Sequence, residues 1–264
     1  MIEMNTTLPS SPMAQDPLFN ALIQEGLSQE LTGWDFSWLA RRTRESPLPW
    51  DYRRLVLDRL AGIEALLDLG TGGGELLASL APLPPDTCAT EGYLPNVSVA
   101  RRRLEPLGVR VADVSELGDR LPFEAASFDL VIDRHNGCDA GEVYRVLRPG
   151  GRYLTQQVGG ENCMDLNRFL QDELYYAYGD MSLAGDVRRL EAAGFRILDQ
   201  RQAFPGLAFL DIAAVVFYLT AIPWQIEGFS VEKYRGKLFQ MHRIIQSEGE
   251  FVVKEHRTLV EAEK

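Results

Sequence analysis

Cysteine is scarce in this chain of 264 residues, and the three present, Cys88, Cys138 and Cys163, are odd in number and far apart. That pattern excludes a disulfide framework and a cysteine-based zinc site, so no metal is expected and a reducing compartment fits best. Positive charge is also in deficit. Lys and Arg total 27 against 38 Asp and Glu, a formal net charge of −11, which withholds the phosphate contacts a polyanion needs. Nucleic acid is therefore a second-choice partner, and Arg41-Arg42 and Arg101-Arg102-Arg103 read as solvated helix faces. Long apolar runs are missing as well. The longest, Leu207 to Pro223, is interrupted by Asp211 and falls short of the roughly 20 residues a membrane span requires. The first fifteen residues are polar, carry Pro9 and Pro12, and lack the basic start and apolar centre of a secretion signal. The expectation is a soluble, cytoplasmic chain, its oligomeric state left open.

What is present is an ordinary globular composition, 45% apolar and 25% charged, enough for one large core with modest extensions. No internal repeat interrupts it. Residues 1–62 read as a helical N-terminal extension, with helical spacing through Leu18, Leu22, Leu27, Leu31, Leu55, Leu57 and Leu60 and a cluster of Trp34, Phe36, Trp38, Trp50 and Tyr52. From residue 63 short apolar runs alternate with amphipathic segments, the mark of strand-helix units around a parallel sheet. Strands are expected at Ala65–Leu69, Thr87–Glu91, Val109–Ala112, Phe128–Asp133 and Arg152–Val158, with a helix stopped by Pro149-Gly150-Gly151 before the last of these. Further on come helices near Leu166–Tyr178 and Leu183–Ala193, a strand at Phe195–Arg201, helices over Leu207–Ala221 and Val231–Ser247, and a final strand over Phe251–Val260. Residues 63–264 thus form one expected domain, with 204–249 as a helical insertion.

The first strand runs into Asp68-Leu-Gly70-Thr71-Gly72-Gly-Gly74. In doubly wound sheets, ligands bind beyond the carboxyl ends of the strands, where glycine permits close backbone approach and a helix N-terminus faces the cleft. A dinucleotide fingerprint begun at Gly70 needs a glycine at position 75, where Glu75 stands and would repel a pyrophosphate. A P-loop needs Gly-Lys-Ser or Gly-Lys-Thr, which does not follow. S-adenosylmethionine has no phosphate and carries a cationic sulfonium, so an acidic rim suits it. Asp68, Glu91 and Asp113 end three successive strands and supply that rim, Glu91 placed for the ribose hydroxyls and Asp113 for the adenine amino group.

With these residues in view, the segment from about Ala65 to Val158 resembles the class I S-adenosylmethionine-dependent methyltransferases, and within them the type 11 group that contains the ubiquinone and menaquinone biosynthesis enzymes. The matching pieces are Leu66-Leu-Asp68-Leu-Gly70-Thr-Gly72-Gly-Gly74-Glu75, Glu91, Asp113, Leu121-Pro122-Phe123, Ser127-Phe128-Asp129-Leu-Val-Ile132, and Glu142-Val-Tyr-Arg145-Val-Leu-Arg148-Pro149-Gly150-Gly151. The resemblance implies an α/β Rossmann-like seven-stranded sheet of order 3-2-1-4-5-7-6 with the last strand antiparallel. It also implies cofactor contacts from Asp68, Gly70, Thr71, Gly72 and Gly74 to the methionine end. Glu91 and Gly92 fall to the ribose, and Tyr93, Asp113 and Val114 to the adenine. Arg134 and His135 fall beside the tail and the transferred methyl.

Two departures narrow the chemistry. Strand four ends in Asp133-Arg134-His135-Asn136, not the Asn/Asp-Pro-Pro-Tyr of enzymes that methylate exocyclic base amines. No cysteine sits where cytosine-C5 enzymes keep their nucleophile. Methyl transfer asks mainly for alignment, sometimes with a base, and His135 is the catalytic candidate because it is the one histidine near the cleft. The parts outside the common core bound the acceptor. Trp50 and Tyr52 in the extension, and Asp211 amid Phe209, Leu210 and Ile212 in the insertion, are the substrate candidates, and an apolar or aromatic small molecule suits them. An RNA methyltransferase and a non-catalytic S-adenosylmethionine-binding protein are the alternatives; an aminopropyltransferase ranks lower because it would need paired acids near strand four.

Overall fold

Residues Ala65–Leu69 are buried throughout, the signature of a strand covered on both faces of a parallel sheet. In the computed structural model, which describes residues 16–31, 35–174 and 180–264, this strand is β1 of a seven-stranded sheet. Its other members are β2 (Asp86–Glu91), β3 (Arg110–Asp113), β4 (Phe128–Arg134), β5 (Leu147–Val158), β6 (Arg196–Ala203) and β7 (Arg257–Glu263). The spatial order is 3-2-1-4-5-7-6, with β7 antiparallel to both neighbours, as the resemblance implies. Helices Glu75–Ser79, Leu94–Leu104, Ala140–Val146 and Leu183–Ala192 alternate with the strands. Trp34, the end of the helix expected near Leu166–Tyr178 and the first fifteen residues lie outside the described residues.

The chain divides into two compact units. Of the described residues, one holds 47–162, 180–205 and 255–264 and contains the whole seven-stranded sheet, together with Trp50, Tyr52 and the short helix Tyr52–Leu57. Its apolar interior lies in two clusters, one around Leu66, Leu77, Leu104 and Leu130, the other around Leu67, Phe128, Val131 and Val146. The second unit holds residues up to 46, 163–174 and 206–254. It contains a three-stranded antiparallel sheet of Thr43–Glu45, Gly206–Phe209 and Phe251–Lys254, and the helices Pro17–Leu27, Met164–Leu170, Ile212–Ala221 and Val231–Glu248. Its own core joins Phe19, Phe209, Phe217, Leu238 and Met241.

Three expected boundaries move. The continuous helix over Leu207–Ala221 is a strand, Gly206–Phe209, followed by a helix that starts at Ile212. The polar interruption is the cause: Asp211 caps the helix, its Oδ1 accepting from Ala214 N at 2.9 Å, and the eight residues after it are buried on every side. The single closing strand is two, because Glu255 and His256 separate a strand of the small sheet from β7. And β5 begins at Leu147, ahead of Pro149-Gly150-Gly151. The helix before it ends because Ala126 and Ser127 N–H groups take the carbonyls of Arg145 and Val146, while fully buried Leu147 turns extended.

In the second unit, Gly26 lets helix Pro17–Leu27 approach helix Ile212–Ala221 closely: a β-carbon there would lie 2.5 Å from the Ala213 carbonyl oxygen. Gly26→Ala should lower stability by about 1–2 kcal/mol, the overpacking cost outweighing the gain of about 1 kcal/mol in helix propensity. The urea midpoint reads this; a rise in the midpoint would show that the helices have room.

Candidate functional site

The carboxyl ends of β1, β2 and β4 bring three acids into the interior. Asp68 is 4% exposed, Glu91 5% and Asp133 fully buried. Register sets Asp68 beside Ile132 and Ala89, Leu69 beside Asp133, and Glu91 beside Asp113. Desolvation of a carboxylate is expensive, so the partners of each oxygen decide its state.

Glu91 is held by backbone: Gly72 N–H donates to Oε2 and Tyr93 N–H to Oε1, both at 2.7 Å. These bonds tie the glycine turn to the end of β2, and each oxygen keeps a second lone pair for a ligand hydroxyl. Asp133 takes the Tyr153 hydroxyl on Oδ2 at 2.9 Å and Asn136 N–H on Oδ1 at 3.1 Å; burial nevertheless raises its pKa. Asp68 is the least supported. The Thr71 hydroxyl donates to Oδ2 at 2.7 Å, and among the described residues no donor reaches Oδ1. Burial pushes its pKa up to about 7 against the Thr71 bond, with the charges of Asp133 and Glu91 adding to the rise and Arg134 opposing it. Asp113, by contrast, is exposed, and the Ser115 N–H bond at 3.0 Å holds its carboxyl below the usual range.

The turn between β1 and its helix is shaped by glycine where no other residue fits. Gly70 has φ +60°, and a β-carbon there would run into the Asn136 side chain; Gly74, φ +82°, begins the helix with Leu104 against the place its β-carbon would occupy. Gly70 N–H donates to Thr90 Oγ1 at 3.2 Å and Thr71 N–H to the Thr90 carbonyl at 2.9 Å. Beyond β2, Gly92 and Tyr93 are exposed, Val114 is half-buried, and Val114 N–H donates to the Glu91 carbonyl at 3.1 Å.

Trp50 and Tyr52 are buried within the same unit as this site. The Tyr52 hydroxyl lies 3.0 Å from the carbonyls of Asp133 and Leu154 and accepts from Asp133 N, so it bridges β4 and β5. Burial and the Asp133 charge push its pKa well above the ordinary value, which keeps it a protonated clamp. Trp50 Nε1 donates to Gln156 Oε1 at 2.8 Å. An open cavity of about 600 Å³ is lined by the segment from Pro47 to Arg53, which includes Trp50, Asp51 and Tyr52, and by Leu76, Arg134 and Gln156. Arg134 and His135 are exposed, and His135 has φ +64° with its N–H on the Gln156 carbonyl. Although the residue keeps a solvent-exposed face, the chain packed around its imidazole, with the nearby Arg257 and Arg134 guanidiniums, lowers its pKa and keeps it neutral. Asp211 lies in the other unit, where it caps its helix and pairs with Arg42 at 2.7 Å.

The structure therefore gathers Asp68, Gly70, Thr71, Gly72, Gly74, Glu91, Gly92, Tyr93, Asp113, Val114, Arg134 and His135 along one edge of one sheet, with Trp50 and Tyr52 in the same unit. Thr90, Asn136, Tyr153 and Gln156 escaped the sequence reading. Thr90, Tyr153 and Gln156 act through partners 20 or more positions away, and Asn136 through its own backbone N–H, so residue type alone flags none of them.

Among the described residues no group of three or more metal-ligating side chains is assembled, and no helix is long and apolar enough to cross a membrane.

Residues 67–155 match the model of a family described as a methyltransferase domain. The chain is 33% identical over 117 residues to a demethylmenaquinone methyltransferase of Thermus thermophilus, covering 41% of this chain and 53% of that protein. It is 27% identical over 177 residues to a bifunctional biotin-biosynthesis protein of Teredinibacter turnerae, covering 60% of this chain and 31% of that protein. The chain thus spans about half the length of the first relative and under a third of the second. Among solved structures, a candidate methyltransferase of Bacillus halodurans matches at a TM-score of 0.56 and 20% identity, covering 80% of this chain and 98% of the other, a likeness of fold.

The raised Asp68 carboxyl makes a stability prediction. A folded pKa above the unfolded value of about 3.9 means the folded protein holds an extra proton between pH 4 and 7. Stability from this group is full below pH 4 and declines as pH rises to about 7. Asp68→Asn should remove that decline, so that the variant exceeds wild type in urea-unfolding free energy at pH 8 by on the order of 2–4 kcal/mol, with a higher midpoint, and matches it near pH 4. Equal midpoints at pH 8 would show that the carboxyl is not desolvated.

Proposed function

We propose that this chain, which carries a methyltransferase domain over residues 67–155, binds S-adenosylmethionine at the tips of β1 to β4 and passes its methyl group to a small molecule. The observation that carries the reading is Asp68: a buried carboxyl with one hydrogen bond and a pKa near 7, beside a second buried acid already aimed by the glycine turn. Such a group is poorly satisfied alone and is stabilised as its anion by a cationic ligand.

The donor set fits the cofactor part by part. Asp68 and the turn from Gly70 to Gly74 would hold the amino-acid tail, whose ammonium satisfies the acid. Glu91 would accept the two ribose hydroxyls on its remaining lone pairs. Asp113 would accept from the adenine amino group, with Val114 and exposed Tyr93 against the base. When bound, the sulfonium supplies a methyl carbon open to in-line displacement. The chain's own work is then alignment and the exclusion of water around the reacting atoms. Arg134, Trp50 and the prolines of 47–49 line the side from which an acceptor would enter, with His135 next to Arg134 in sequence.

A small acceptor is supported by the size of that open cavity, within the range of small-molecule sites, and by a wall that sets Pro47, Leu48, Pro49 and Trp50 beside the polar Asp51, Arg53, Arg134 and Gln156. The Thermus relative is named for a small-molecule acceptor, which supports the same class. An RNA acceptor would need a basic groove, and the net charge of −11 opposes one. A protein that binds the cofactor without catalysis would share the acid set and differ only in forming no S-adenosylhomocysteine with any acceptor.

Titration calorimetry tests the cofactor site. S-adenosylmethionine should bind, and Glu91→Ala should weaken it about 10- to 100-fold, the worth of lost hydrogen bonds to a charged group. Because the ligand favours ionised Asp68, binding should release a proton below pH 7, strengthen as pH rises from 5 to 7 and level off above. In Asp68→Asn the release should vanish. Failure of both S-adenosylmethionine and S-adenosylhomocysteine to bind would overturn the reading.

A further inference from the structure

The amide of Gln156 sits between two rings. Its Oε1 accepts from Trp50 Nε1 at 2.8 Å, and its Nε2 lies 3.1 Å from His135 Nε2. An indole N–H can only donate, so the atom of Gln156 that faces Trp50 must be the oxygen, and the atom that faces His135 must be the NH₂ group. An NH₂ group can only donate in turn. His135 Nε2 is therefore the acceptor, and in the neutral ring the proton belongs on Nδ1. Among the described residues nothing accepts from Nδ1.

Next to it in sequence, the Arg134 guanidinium lines the cavity and forms no ion pair or hydrogen bond among the described residues. The contrast with Arg145 and Arg148, each pinned by a carboxylate, is local and sharp. Two N–H donors on adjacent residues, one of them cationic, face no protein acceptor at the carboxyl end of β4. The cavity wall beside Arg134 also carries Arg53 and Asp51, whose Oδ1 accepts from Arg54 N, among the apolar Pro47, Leu48, Pro49 and Leu76.

We propose that Trp50 and Gln156 are positioning residues that lock His135 in its Nδ1–H form, so that His135 serves the bound ligand as a hydrogen-bond donor beside Arg134, and that the group they receive is an anionic oxygen. The oxygen belongs either to the carboxylate of the cofactor's amino-acid tail or to the methyl acceptor. Its source rests on the methyltransferase reading; the state of the ring does not. A ring so held has its Nε2 lone pair engaged and cannot take a proton from the acceptor there. Transfer would then suit an acceptor that arrives already ionised, or one that needs no base.

Nitrogen NMR of histidine-labelled protein tests the lock without any activity. Wild type should show His135 protonated at Nδ1 and bare at Nε2. In Gln156→Glu, whose carboxylate can accept from both rings, the proton should move to Nε2. A wild-type ring protonated at Nε2, or a variant ring unchanged at Nδ1, would overturn the lock. For the ligand group, Arg134→Gln is titrated with S-adenosylhomocysteine, with 5′-methylthioadenosine, which lacks the carboxylate, and with benzoate in the presence of S-adenosylhomocysteine. A loss of about 10-fold or more for S-adenosylhomocysteine alone assigns the oxygen to the cofactor tail. A like loss for benzoate assigns it to the acceptor. Unchanged affinity for both overturns the anionic assignment while leaving calorimetric binding of the cofactor, and hence the broader reading, standing.

Discussion

Three carboxyl groups withdrawn from water at neighbouring strand tips set the terms for everything around them. Asp68, Glu91 and Asp133 would each cost several kcal/mol as bare buried anions, and the chain lowers that cost by different means. Glu91 is given two backbone N–H groups, which requires that the glycine turn double back over the end of β2. Asp133 is given a phenol and a backbone N–H, which requires Tyr153 on β5 and the positive-φ excursion at His135 that returns Asn136 to the strand end. Asp68 is left with one hydroxyl. The energy the chain does not recover there is what a cationic ligand would recover, which supports reading the turn as a binding site as well as a connection.

The same constraint explains the residues ahead of the sheet. The carbonyls of Asp133, near the end of β4, and of buried Leu154, inside β5, both lie 3.0 Å from the Tyr52 hydroxyl, which also accepts from Asp133 N. Anchoring Tyr52 fixes the segment from Pro47, and with it Trp50, whose indole N–H sets the amide of Gln156. The cavity wall, the amide and the histidine ring are thus successive consequences of satisfying backbone groups on two strands.

Much of this was legible in the sequence because it depends on local chemistry. The alternation of apolar runs gives the strands, and β1 to β4 fall within a residue or so of where Ala65–Leu69, Thr87–Glu91, Val109–Ala112 and Phe128–Asp133 place them. Gly70 and Gly74 declare a turn that needs positive φ. What stayed hidden depends on pairing at a distance. Gly206–Phe209 is as apolar as the helix after it, and only its pairing with Thr43–Glu45 and Phe251–Lys254 makes it a strand. Gln156 looks like any polar residue late in a strand until Trp50, 106 positions away, arrives beside it.

Asp68 and Asp211 show how a structure separates two acids that a sequence treats alike. Each is an aspartate among apolar neighbours, and such a residue invites a functional reading. At Asp211 both oxygens are occupied, Oδ1 by the Ala214 N–H of the helix it caps and Oδ2 by the Arg42 guanidinium, so helix start and ion pair together account for the charge. At Asp68 one oxygen takes the Thr71 hydroxyl and the other takes nothing from the described chain, while burial lifts the pKa to about 7. What separates the two is the cation: Arg42 balances the Asp211 charge, and no guanidinium or ammonium forms an ion pair with Asp68 among the described residues. An acid balanced by a protein cation is accounted for within the fold; a buried acid without one is better stabilised by a cationic ligand.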